Sequence, residues 1–361
     1  MAAIVVTHVT KTLKGGLKAL DDVSFEVPAG GSCALIGPTG SGKSTLLRLI
    51  ARLETPDAGT VEIGEDVSQS WRLGRPELAA LVDPDALDRD RNLYDNLMRG
   101  LRGRGLGRKA AQLAALHAAD AFALGALLAR RAGRVSSGER ARTALARAFA
   151  AKPPALLFDE PFRGLDPAER TMMRAKIAAL RAETGATAVF ALHDQAEALA
   201  LADHIVLLDS GRVVATGGAD ELYARPPSVA AARLLGPSPM NLLPIRANQT
   251  GISLEDGTHF GGASIRTGFV FATLGVRPED LFVVGEGSPA AAATFPVTVE
   301  LAERAGPETI LQGRVGAFPF LARIRGVVDV PASGPLKLGA RHENLHVFDA
   351  MTGARTDAPA P

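Results

Sequence analysis

Residues 32–50 read Ser-Cys-Ala-Leu-Ile-Gly-Pro-Thr-Gly-Ser-Gly-Lys-Ser-Thr-Leu-Leu-Arg-Leu-Ile. The first five form a short, mostly apolar run of the kind that lies buried on both faces of a sheet, and the run stops at Gly37. After it, Leu46, Leu47, Leu49, Ile50 and Leu53 recur at helical spacing. Between the two stand Gly37, Pro38, Thr39, Gly40, Ser41, Gly42, Lys43 and Ser44, followed by Thr45, the pattern G-x-x-x-x-G-K-[ST] in the strand, loop and helix setting that it needs. Glycines let backbone N–H groups curl round a phosphate, and the helix N-terminus adds positive potential. Lys43 can then neutralise β- and γ-oxygens, and Ser44 can ligate Mg2+. These residues alone predict a nucleotide-binding α/β domain.

Reading outward, alternating apolar stretches at residues 4–9 and 23–27 predict strands of a small antiparallel sheet. Apolar runs at 155–158, 188–192 and 205–208, separated by helical segments, predict a mainly parallel sheet core. A stretch rich in Ala, Leu and Arg at about 98–135 predicts a helical subdomain. Near residues 237–244 the pattern changes to short β-type runs at 268–271, 295–301 and 318–324, punctuated by Gly and Pro. The predicted organisation is therefore a first domain over residues 1–236, an all-β domain over 240–350 and a disordered tail at 355–361.

The run Ala155-Leu156-Leu157-Phe158-Asp159-Glu160 is an apolar strand ending in two carboxylates. Asp159 can hold Mg2+, and Glu160 can orient or deprotonate a water in line with a γ-phosphate. Upstream, Val135-Ser136-Ser137-Gly138-Glu139 opens a helical run; downstream come Gly164-Leu165-Asp166 and then His193 after an apolar strand.

This order of motifs resembles the ATPase subunits of ABC transporters. The resemblance implies a P-loop NTPase fold, with Ser136 and Gly138 touching the γ-phosphate held by a second ATPase subunit, Asp166 at the dimer seam and His193 as a switch histidine. Residues 240–244, 274–280 and 345–349 are similar to the regulatory, OB-like β domain of importers of the maltose, polyol and spermidine type. Implied with it are ATP and Mg2+, transmembrane permease subunits, a solute-binding protein acting indirectly, a peripheral position on the cytoplasmic face of the inner membrane, and a sugar or polyol as solute. Arg277 and Glu279 read as an ordinary surface turn without a catalytic role.

Three residues depart from the family pattern. No Phe, Tyr or Trp precedes Phe25, so Leu13 stands where an aromatic ring would stack on adenine. Such stacking contributes ~1–3 kcal/mol, so nucleotide binding about tenfold weaker is expected. Asp83 occupies the place of a loop glutamine and is a further candidate for approaching Mg2+, at the cost of a negative charge close to the phosphates. Ser137 replaces a glycine and is expected to crowd the approach to phosphate. The leading expectation is an ATP-hydrolysing importer subunit, paired with a different ATPase subunit rather than with itself, so that the departures are divided between two sites. The alternative is a nucleotide-binding structural or regulatory subunit with impaired hydrolysis, paired with an active ATPase. Among ABC proteins, a soluble ATPase of DNA repair or translation would show a long coiled coil or tandem cassettes, and the sequence has neither.

Composition agrees. Lys plus Arg is 40 against 39 for Asp plus Glu, so the net charge of +1 offers no field for nucleic acid or an anionic membrane. Arg99, Arg102, Arg104 and Arg108 cluster without interleaved aromatic residues, which argues against nucleic-acid binding. The one cysteine, Cys33, excludes an intrachain disulfide. No export signal is expected at the start, and no apolar run is long enough to cross a membrane as a helix.

Overall fold

Ile4, Val6 and Val9 point to one side of the first strand and are buried, while Thr7 and His8 stay exposed. That alternation is what a strand covered on one face requires. The computed structural model describes residues 2–64, 78–102, 106–248, 251–261, 270–331 and 334–356. By its contacts the chain falls into two units, Met1–Asp220 and Glu221–Pro361.

In the first unit, β1 (Ile4–Thr12) and β2 (Lys18–Val27) form an antiparallel pair with Ile4 opposite Val27 and Val6 opposite Phe25. Their connection closes where Leu13 N–H donates to the Leu17 carbonyl at 2.8 Å. β3 (Ser32–Ile36) is buried along its whole length and feeds α1 (Lys43–Ile50). β4 (Ala58–Ile63) pairs with the free side of β1, giving the sheet order β2-β1-β4.

The remaining elements are β5 (Ala79–Val82), α2 (Leu93–Arg102), α3 (Arg108–Ala121), α4 (Ser137–Ala151), β6 (Ala155–Asp159), α5 (Pro167–Thr184), β7 (Thr187–Leu192), α6 (Gln195–Leu201), β8 (His204–Asp209) and β9 (Arg212–Gly218). Six strands assemble in the order β5-β6-β7-β3-β8-β9, parallel except for the antiparallel β8–β9 pair. Leu35, Leu157 and Val189 from this sheet share one core with Leu46, Leu47, Leu49 and Ile50 of α1, and Phe158 stacks on Phe190 with ring centres 4.6 Å apart. Because β5, β6, β7 and β3 are neighbours, the loops after Val82, Asp159, Leu192 and Ile36 all open at one edge. In open parallel sheets that edge, outside the carboxyl ends of the strands, is where ligands bind.

The helical segment begins earlier than the sequence suggested, at Leu93 rather than at 98, because Leu93 and Leu97 are themselves buried helix residues. Phe122 meets Phe149 of α4 edge-on with ring centres 5.7 Å apart. Lys176 of α5 ties the end of α3 down by donating to the Ala121 carbonyl at 2.6 Å. Of the four clustered arginines, Arg99 pairs with Asp88 at 3.2 Å, and Arg104 lies outside the described residues.

The second unit begins within α7 (Ala219–Ala224), continues through α8 (Val229–Leu234), and is otherwise β. Its strands are β10 (Asn241–Asn248), β11 (Gly251–Leu254), β12 (Phe271–Val276), β13 (Phe282–Val283), β14 (Ala293–Ala305), β15 (Glu308–Val315), β16 (Phe318–Arg325), β17 (Leu336–Ala340) and β18 (Leu345–Asp349). They form two antiparallel sheets, β11-β10-β12-β18 and β13-β17-β14-β15-β16, an OB-like arrangement closed over Leu243, Leu274, Phe295, Phe320 and Leu338. Of the expected strand at 268–271, residues 268 and 269 lie outside the described residues, and β12 starts at Phe271.

Arg277 is not a surface residue. It is 1% exposed, donates to the carbonyls of Leu235 at 2.6 Å and Tyr223 at 2.7 Å, and lies 3.9 Å from the centre of the Tyr223 ring. A buried guanidinium needs acceptors and a partner for its face, and here the acceptors of Nη1 and Nη2 and the ring under its face come from residues 223–235. This anchor places that segment with the β unit, so the division at Asp220/Glu221 precedes the boundary expected at 236. Arg355 and Thr356, expected in the tail, are held by backbone bonds to Pro227 at 2.8 Å and Val347 at 2.9 Å; residues 357–361 lie outside the described residues. No helix among the described residues is long and apolar enough to cross a membrane.

Candidate functional site

The loop after β3 needs its glycines. A Cβ on Gly37 would fall 2.0 Å from the Leu208 carbonyl oxygen, and one on Gly42, with φ +103°, would fall 2.5 Å from that of Ala19. No other residue fits either position, and the tight loop delivers Lys43 and Ser44 to the first turn of α1. Lys43 Nζ folds over the loop and donates to the carbonyls of Gly37 at 2.7 Å and Pro38 at 2.9 Å. Burial lowers the Lys43 pKa, and the charges of Glu160 and Asp159 work against that fall. Its ammonium is thus held in place ahead of any ligand.

Ser44 Oγ donates to Asp159 Oδ1 at 3.0 Å, which joins the first turn of α1 to the end of β6. Burial pushes the Asp159 carboxyl above its usual range. The Ser44 bond opposes that shift, while the nearby charges of Asp83 and Glu160 reinforce it. A half-buried carboxylate beside further negative charge and a hydroxyl is a donor set suited to a hard divalent cation. Asp83 follows β5 and caps the 3-10 turn Pro84–Ala86, its carboxylate accepting from Asp85 N–H at 2.8 Å. It lines the same cleft as Ser44, Asp159 and Glu160.

Glu160 sits at φ +45°, a left-handed conformation that a residue with a side chain rarely adopts, and its N–H donates to the Ala191 carbonyl at 3.1 Å. The turn directs its carboxylate to His193, whose Nε2 lies 2.7 Å from Glu160 Oε1. Arg163, three residues on, places Nη1 3.9 Å from Glu160 Oε2. Sequence reading passed over Arg163, although its i,i+3 spacing from Glu160 in a turn was the available signal. It also passed over Arg48, which lines this cleft from the last turn of α1.

One cleft gathers Thr39, Gly40, Gly42, Lys43, Ser44, Thr45, Glu160 and His193, with Leu13 and Leu17 on its rim. Both leucines come from the β1–β2 connection, Leu13 being 38% exposed and Leu17 68%.

The Ser136–Gly138 segment is built differently. Ser136 caps α4 in a reciprocal box: its Oγ accepts from Glu139 N–H at 3.1 Å, and Glu139 Oε2 accepts from Ser136 N–H at 2.7 Å. Asp166 caps α5 by accepting from Glu169 N–H at 2.8 Å. Ser136 and Gly138 do not line the phosphate-loop cleft of their own chain. Ser137 lines the cleft of Ser44, Asp159 and Glu160, and its hydroxyl donates to the Gly164 carbonyl at 2.7 Å.

Comparison with known proteins bears on this geometry. The sequence profile described as ABC transporter matches residues 20–163. Over 97% of its length the chain is 36% identical to the sn-glycerol-3-phosphate import ATP-binding protein UgpC of Rhodopseudomonas palustris, covering 98% of that protein. The chain belongs to the ABC transporter ATP-binding proteins. A relative of the same name from Cupriavidus metallidurans is 33% identical over the full length of both chains. Among solved structures, a dimeric post-hydrolysis ATP-binding cassette bound to ADP and Pi is 26% identical, with a TM-score of 0.53 over 60% of this chain and 98% of that one. An ATP-binding subunit of an ABC transporter is 27% identical, with a TM-score of 0.52 over 61% of this chain and 91% of that one. As an ABC importer subunit, the chain binds ATP and couples its hydrolysis to transport. The full-length relationship does not favour a purely regulatory role.

Proposed function

We propose that the chain energises uptake of a small phosphorylated polyol of the sn-glycerol-3-phosphate type, the solute named for its full-length relatives. The observation that supports hydrolysis at this site is the pairing of two contacts in neighbouring loops, Ser44–Asp159 at 3.0 Å and His193–Glu160 at 2.7 Å. In this reading the loop at residues 37–42 cradles the phosphates with backbone N–H groups, while Lys43 neutralises the β- and γ-oxygens. Ser44 and Asp159, with Asp83 beside them, would hold Mg2+, which when bound would supply Lewis-acid charge neutralisation at the phosphates. Glu160 orients the attacking water and takes its proton. His193, through Nε2, keeps the Glu160 carboxylate turned toward that water.

Ser136 and Gly138 serve the nucleotide of the facing subunit, and Asp166 lies at the seam between the two. Leu13 and Asp83 burden the site that contains this chain's own phosphate loop, and Ser137 belongs to the opposite one. A distinct second ATPase subunit would keep each site from carrying all three. The assembly docks on permease subunits at the cytoplasmic face of the membrane.

Native mass spectrometry of the complex purified from membranes tests this composition. The expected result is one copy of this chain, one different ATPase subunit and a permease pair. Two copies of this chain with no second ATPase would refute the heterodimer.

A further inference from the structure

The start of α4 and the turn after Glu160 are tied together within one chain. Ser137 Oγ donates to the Gly164 carbonyl at 2.7 Å across 27 residues of sequence. Gly164 is at φ +71°, and a Cβ built there would sit 3.6 Å from Ser137 Cβ, in ordinary contact with the Ser137 side chain. One residue further, Gly138 lies against the carboxylate of Glu169, where an added Cβ would fall 2.1 Å from Oε1. Glu169 belongs to the first turn of α5, whose N-terminus is capped by Asp166. The turn itself is closed by Arg163 N–H donating to Glu160 at 3.1 Å and Leu165 N–H donating to Phe162 at 3.2 Å. Residues 136–139 and 160–169 thus form a connected set of hydrogen bonds and close contacts with Glu160 at one end.

We propose that Ser137 is a positioning residue for hydrolysis: its hydroxyl clamps the turn 160–165 to the N-terminus of α4, so that Glu160 and the Ser136–Gly138 segment are set as one body. Glycine at this position has no donor with which to make the bond. In this role Ser137 acts through the main chain of Gly164. The inference rests on the reading of Glu160 as the water-activating carboxylate.

Two substitutions test the clamp in the intact importer. Ser137→Ala removes the donor and keeps the Cβ, and Ser137→Thr keeps the hydroxyl. Losing one neutral hydrogen bond corresponds to a factor of about 5 in the local opening equilibrium. Hydrogen exchange at the Arg163 and Leu165 amides, measured without nucleotide, is therefore expected to accelerate ~5-fold in Ser137→Ala. The same variant should lose ~5-fold in kcat with KM for ATP within about 2-fold, and Ser137→Thr should restore both. Unchanged exchange in the alanine variant overturns the clamp. Faster exchange with wild-type kcat overturns its role in hydrolysis. Because the exchange is read without ATP, failure of the clamp is distinguishable from failure of the Glu160 assignment, which a substitution at Glu160 tests separately.

Discussion

Replacing Glu160 with glutamine is expected to remove turnover while leaving ATP affinity within about 2-fold, since a general base contributes ~100- to 10,000-fold to rate and nothing to ground-state binding. Glutamine keeps the size of the side chain and can still face His193 Nε2, which lies 2.7 Å from Glu160 Oε1, so the turn at φ +45° is preserved. What is lost is the ability to accept a proton. Phosphate release under saturating ATP measures the first effect, and titration with a fluorescent nucleotide measures the second. Hydrolysis near the wild-type rate in Glu160→Gln would sink the assignment, because it would mean that another group handles the water.

Lys43→Ala is expected to act at the opposite point, on binding. Lys43 Nζ is held by the Gly37 and Pro38 carbonyls, and its charge is sustained against burial by Glu160 and Asp159. A hydrogen bond to a charged partner contributes about 1.5–3 kcal/mol, so losing the ammonium should weaken nucleotide affinity ~10- to 100-fold. Calorimetric titration reads this directly, with a thermal melt of the nucleotide-free protein to show that the fold persists. Affinity unchanged in Lys43→Ala would contradict the placement of the phosphates in this loop.

Much of this geometry could be read from the sequence because the decisive segments are short and locally determined. β3, β6 and β7 are largely apolar runs, as strands covered on both faces must be, and a residue of the site stands at or just past the end of each: Gly37, Asp159 and His193. The glycine spacing of the phosphate loop likewise follows from backbone clearance at Gly37 and Gly42 alone. Features set by partners distant in sequence were harder to read. The Ser137 hydroxyl's partner could not be read because its acceptor, Gly164, lies 27 residues away. Arg277 looked like part of a surface turn because the carbonyls that bury it belong to Tyr223 and Leu235. The prolines at 237–244 marked a change of pattern without marking the edge of a unit: Pro244 lies within β10, opposite Thr273, and the helix Val229–Leu234 already belongs to the β unit.

In the proposed function, ATP hydrolysed at the Lys43–Glu160 site drives import of a phosphorylated polyol. Uptake of radiolabelled sn-glycerol-3-phosphate into proteoliposomes carrying the purified importer and its solute-binding protein, with nucleotide supplied on the side of this chain, tests it most directly. Accumulation is expected with Mg-ATP and none with Mg-ADP. Uptake proceeding at the same rate with ADP would contradict it.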